Sequence, residues 1–149
     1  MFNFFKRKPK IVYKKELQNG FSAEAAKNTA KLSNQVLALK LIEKLPEYSN
    51  DTKGLIKQLA LDGKSQARVL IINKIYKDEL HKQFSNIDSE VDWYISLRVE
   101  DVGIVSSHIK KELEQLGYIV TLRELKIQVK RVQGDVASFF AGHDMTINW

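Results

Sequence analysis

Three histidines, His81, His108 and His143, are the side chains best suited to acid–base or metal chemistry in a chain of 149 residues that has no cysteine. A metal centre needs further histidine or carboxylate ligands at a fixed spacing, such as i and i+4 on one helix. None of the three histidines is read as having such a partner. His143 lies in Gly142-His143-Asp144 with Asp135 nearby, a group that reads as a polar loop. His108 follows Ser106 and Ser107, but neighbours in sequence do not make the spatial arrangement of a nucleophile and its base. The serines read instead as caps that start a helix. Glu100 with Asp101, and Glu112 with Glu114, offer carboxylate pairs of the kind that solvated helix faces and strand ends also carry. The glycines are scattered and assemble no phosphate loop or dinucleotide fingerprint. Without cysteine there is no thiolate nucleophile, no disulfide and no thiolate zinc site. No catalytic motif is found, no cofactor or metal is implied, and the chain is read as a non-enzyme.

Charge is the next candidate for function. The formal net charge is +6, with 24 basic and 18 acidic residues. Lys6, Arg7, Lys8, Lys10, Lys14 and Lys15 all precede the first acidic residue, Glu16, so the other 18 basic residues face 18 acidic ones. The excess therefore belongs to an N-terminal arm, residues 1–20, and not to a basic face on the body. Phe2, Phe4 and Phe5 stand just ahead of the basic run. A secretory signal places its charges first, so the order here is reversed. No apolar run approaches the roughly 20 residues that span a bilayer. Aromatic residues beside a basic cluster suit docking on a partner, with Phe2, Phe4 and Phe5 filling pockets and Lys6, Arg7, Lys8 and Lys10 meeting acidic rims. The arm also suits non-specific contact with nucleic-acid phosphate. So short a segment would hold a membrane surface only weakly, and membrane attachment is not expected. Trp93, Tyr94 and Phe84 are candidates for an aromatic platform, although Trp93 falls on the apolar face of its strand.

The elements that must position these residues follow from periodicity. Ser22 caps a long alanine- and leucine-rich helix from Ala23, with Leu32, Val36 and Leu39 on one stripe and Leu37, Leu41 and Leu45 on another. Pro46 is expected to end it. A second helix, capped by Asn50 or Asp51, would carry Leu55, Ile56 and Leu59 and stop at Gly63, making a helical hairpin. Ala67–Ile72 is apolar on both faces and reads as a buried strand. Val91, Trp93, Ile95, Leu97 and Val99 alternate with polar residues, a strand with one wet face. A helix from Ser106 or Ser107 places Ile109, Leu113 and Leu116 on one face and stops at Gly117. Tyr118–Leu122 and Leu125–Val132 read as strands separated by a bulge or bend at Arg123-Glu124. Gly134–Asp144 reads as a loop or short helix, and Met145–Trp149 as a last strand. The expected fold is α+β: an N-terminal helical hairpin, then a small, mostly antiparallel sheet with one packed helix, in the order ααβ(α)βαββ. The body, residues 21–149, is one domain.

Leu55–Lys64, Ile109–Val120 and Thr146–Trp149 resemble a pattern in small tailed-bacteriophage proteins. Those chains have a helix ending in glycine-lysine, a strand, a helix ending in Leu-Gly-Tyr, and a strand ending in Ile-Ser-Trp. Asn148 stands where that serine would be, and the resemblance covers residues 55–149. It implies a phage or prophage protein without an assigned activity, so no catalytic residues carry over. The leading expectation is a virion structural or assembly component working through protein–protein contacts, as an oligomer with other virion or host proteins. A host-takeover protein that binds a host factor or sequesters a small signalling molecule is the second, and an auxiliary nucleic-acid-binding protein the third. The corresponding locations are the virion or the bacterial host cytoplasm.

Overall fold

The computed structural model describes residues 22–84 and 87–149. The chain divides into two compact units, 1–43 and 44–149. Helix α1 is Ala23–Leu61, 39 residues long with Pro46 inside it. Its start is the expected one: the amide of Ala25 donates to Ser22 Oγ at 3.1 Å, and Glu24 lies in the first turn. The helical hairpin expected from Pro46 is not present, because the helix continues through the proline. Proline removes one N–H and crowds the preceding turn, at a cost of about 3 kcal/mol in a helix interior. Tertiary burial offsets that cost after the proline, where Ser49, Thr52 and Ile56 are buried. Asn50 and Asp51 are therefore interior helical residues, not caps.

The helix stops where the sequence says it should. Lys64 N donates to Leu59 O at 2.9 Å and Gly63 N to Ala60 O at 3.0 Å, the paired bonds of a Schellman stop. From there the chain runs through β1 (Gln66–Asn73), a 3-10 turn (Lys74–Tyr76), α2 (Lys77–Gln83), a single helical turn (Ile87–Glu90) and β2 (Trp93–Leu97). Helix α3 (Val99–Gln115), β3 (Ile119–Lys130) and β4 (Val136–Asn148) complete it. The fold is α+β. The four strands form one sheet in the order β2-β1-β4-β3. β1 is parallel to β2, while β1 with β4 and β3 with β4 are antiparallel, so the sheet is mostly antiparallel as expected.

Helix α3 lies across β1, β3 and β4, and its Val102, Val105, Ile109 and Leu113 are wholly buried. It begins at Val99, not at Ser106. Val99 looks like the last apolar member of the strand alternation, but Glu100 and Asp101 fill the first turn, where the helix dipole favours acids. Arg98, extended at the N-cap, closes this start with two bonds of 3.0 Å to Asp101. The opposite sheet face holds Leu70, Ile72, Leu80, Ile127 and Ala141, with Tyr76, Tyr94 and Leu125 packed around them. Two covered faces explain why β1 is apolar on both sides.

Two further expectations are corrected. Tyr118–Val132 is not two strands, since β3 runs unbroken over 12 residues. Gly134–Asp144 is not a loop, because all but its first two residues belong to β4, and Phe139 and Phe140 pair with Ile127 and Lys126. The expected bulge exists, but at Leu125/Lys126, with Ala141 the extra residue on β4. Gly142 beside it has φ +149, and a Cβ there would lie 2.3 Å from the Ile71 carbonyl oxygen and 2.7 Å from Ile72 Cα. Only glycine lets the two backbones approach so closely. Gly142→Ala should lower unfolding stability in urea by about 3 kcal/mol, from strain plus overpacking. Gly134→Ala, at φ +91 with open space around it, should cost about 1 kcal/mol. Equal losses would contradict this account of the β1–β4 contact.

Candidate functional site

Asp144 is the most deeply buried carboxylate among the described residues of the second unit, its side chain only 4% exposed. Arg68 Nε and Nη2 donate to its two oxygens at 3.0 and 2.7 Å, and Arg123 Nη2 approaches at 3.5 Å. Arg68 also donates from Nη1 to Glu90 at 3.0 Å and from its backbone N to Asp92 at 2.7 Å. Its hydrogen bond to Asp144 raises the guanidinium pKa above its ordinary value, against the opposing effect of burial. Both Asp144 oxygens are engaged, so this carboxylate holds β1 and β4 together. Arg68, Arg123 and Asp144 are far apart in sequence, and no local pattern announces their meeting. Arg68→Ala, which strands a buried charge, should cost about 3 kcal/mol or more in denaturant unfolding. The double change Arg68→Met with Asp144→Leu should cost clearly less, and a double variant as unstable as the single one would contradict a paired-charge role.

On the other face of the sheet, His143 Nδ1 lies 2.9 Å from Ser106 Oγ. Ser106 is wholly buried in the middle of α3 and donates its proton to Val102 O at 2.8 Å. Its hydroxyl must therefore accept from His143, which carries its proton on Nδ1. In a nucleophile–base pair the serine donates to the histidine, so the polarity here is reversed. Burial lowers the His143 pKa below its ordinary 6.5, opposed by the charge of Glu124, which pairs with it across the strands. This is a satisfied core histidine joining β4 to α3.

The expectation that no histidine has a carboxylate at helical spacing is corrected at His108, whose Nε2 is 3.3 Å from Glu112 Oε1, one turn on in α3. That contact lacks hydrogen-bond alignment, and Nε2 is buried without a hydrogen-bond partner. Glu112 also accepts from Ser49 Oγ and, at 3.0 Å, from Lys53 Nζ. These two bonds hold its pKa below the ordinary value and tie α3 to the second half of α1. Among the described residues no three ligating side chains are grouped to hold a metal ion. The other carboxylates noted in the sequence have separate partners: Asp101 pairs with Arg98, Glu114 with Lys110 and Asp135 with Arg131.

The aromatic platform does not assemble. Trp93 pairs with Val69 and Tyr94 with Leu70, so the two rings leave opposite faces of the sheet. Tyr94 packs into the core cluster and against His81, with ring centroids 5.7 Å apart. Trp93 borders an open groove of about 570 Å³ with Asn50, Asp51, Gly54, Leu55 and Asp92. The docking candidates Phe2, Phe4, Phe5, Lys6, Arg7, Lys8 and Lys10 lie outside the described residues.

What stands out in the first unit is apolar surface. Along α1, Leu32 is 62% exposed, Val36 49%, Leu39 61% and Ile42 59%. Three of these form the stripe read from the sequence as a helix face, and nothing described covers them. Among the described residues no helix is long and apolar enough to cross a membrane. No protein-family model matches the sequence, and comparison with curated proteins and with solved structures finds none that is similar.

Proposed function

We propose that this chain acts through protein–protein contact and not through chemistry. The observation that carries this reading is the exposed stripe of Leu32, Val36 and Leu39 on α1, with Ile42 exposed one turn further on. Large apolar side chains grouped on one exposed face mark an interaction surface far more often than a solvated one. The polar constellations point the same way. Asp144, Ser106 and Glu112 are each engaged in joining one structural element to another.

The narrower reading is a structural or assembly component of a tailed-phage particle, with the arm from Phe2 to Lys10 as a second docking element. Its support is the resemblance of residues 55–149 to small phage proteins. Mass spectrometry of particles purified from a host that carries this gene should find the chain at a fixed copy number. A variant lacking residues 1–15 should keep its circular dichroism spectrum and drop out of the particle. A chain confined to the cell lysate would favour the host-takeover alternative. Salt-sensitive duplex binding lost with the arm would favour the nucleic-acid one.

A further inference from the structure

We infer that the first half of α1 pairs with the same segment of a second copy, as a parallel two-stranded coiled coil. This rests on the protein-contact reading and names its partner. The spacing carries the argument. Ala25, Thr29, Leu32, Val36 and Leu39 follow one another at alternating intervals of four and three residues, the repeat that keeps one seam facing a partner helix. Leucine occupies the d positions, 32 and 39, and the β-branched Thr29 and Val36 occupy the a positions. β-Branched residues at a with leucine at d favour two parallel strands.

The flanks permit self-pairing. In the parallel register Asn28 lies beside the partner's Ser33, and Gln35 beside the partner's Lys40. No like charges meet, and no flanking charge pattern demands a different partner. Glu43 takes the next a position and Pro46 the next d position, so the seam closes where the first unit ends. The paired segment therefore ends before Glu43, and Ala25 to Leu39 is about 22 Å long at 1.5 Å per residue. Helices of this length owe most of their stability in water to packing of an apolar face. Residues 23–43 show such a face with its three largest members about half exposed or more. A second copy necessarily presents the matching seam.

The absence of cysteine in the whole chain makes the test clean. Leu32→Cys, Leu39→Cys and Asn34→Cys would be made singly in the full-length protein and oxidised in dilute solution. In the parallel register positions 32 and 39 each meet their own counterpart across the seam, whereas Asn34 faces away. Disulfides need Cα atoms within about 7 Å, so the two seam variants should cross-link about tenfold faster than Asn34→Cys. Val36→Glu added to either should abolish the difference while far-UV circular dichroism shows that the second unit remains folded. Equal cross-linking at all three positions would overturn the seam. Cross-linking only in a mixture of the Leu32→Cys and Leu39→Cys proteins would overturn the parallel register. A wild-type chain that sediments as a monomer at all concentrations would overturn the second copy as partner. The broader protein-contact reading would survive that last result if the chain still entered particles.

Discussion

Asp144 sits in the middle of the sheet with both carboxylate oxygens held by one guanidinium, and the register of β1 against β4 follows from that. Arg68 pairs across the strands with Thr146, and Leu70 with Asp144, so arginine and aspartate are diagonal neighbours on one face. A slip of two residues would keep every apolar side chain on its proper face, yet it would lose the diagonal Arg68–Asp144 geometry and put Phe140 or Asp144 where Gly142 meets the Ile71 carbonyl. The apolar pattern alone therefore does not choose the register; the diagonal ion pair and Gly142 together do. Gly142 supports the same contact from the backbone side, since its lack of a Cβ admits the Ile71 carbonyl. With β1 and β4 fixed, α3 and the Leu70–Ile72–Leu80 cluster have two surfaces to cover.

Three of the polar side chains that first suggested chemistry serve this architecture. His143 and Ser106 join the sheet to α3, and Glu112 joins α3 to the second half of α1 through Ser49 and Lys53. Each is a group whose hydrogen bonds run between elements far apart in sequence. Among the described residues the second unit covers its own core and, His108 Nε2 apart, satisfies its buried side-chain polar atoms. The helical segment in the first unit does neither for its leucine stripe, and that contrast is the physical basis for looking to a partner.

Much of the fold was legible because it depends on local signals. Ser22 at one end of α1 and Gly63 at the other, the glycine stop at Gly117, the two-faced apolar run of β1 and the alternation of β2 are all properties of a few adjacent residues. The errors came where a tertiary contact outweighed a local preference. Pro46 reads as a terminus until burial of Ser49, Thr52 and Ile56 carries the helix past it. Ser106 reads as a cap, although Arg98 and Asp101 had already started the helix. Phe139-Phe140 reads as a loop until β3 is there to pair with it. The pairs His108 with Glu112, Lys110 with Glu114 and Arg98 with Asp101 lie at helical spacing and are within reach of sequence. Arg68 with Asp144, and Ser106 with His143, are separated by too much chain for any local pattern to link them. The exposed stripe of α1 was visible as periodicity, but its lack of a covering partner was visible only in three dimensions.

The central claim is that α1 needs a partner over its first half and the sheet needs none. Hydrogen–deuterium exchange of the full chain over a range of protein concentrations tests this most directly. Amides of residues 30–42 should exchange quickly in dilute solution and gain protection as the concentration rises, while those of β1 and β4 stay equally protected throughout. Exchange in residues 30–42 that does not change with concentration would contradict the claim.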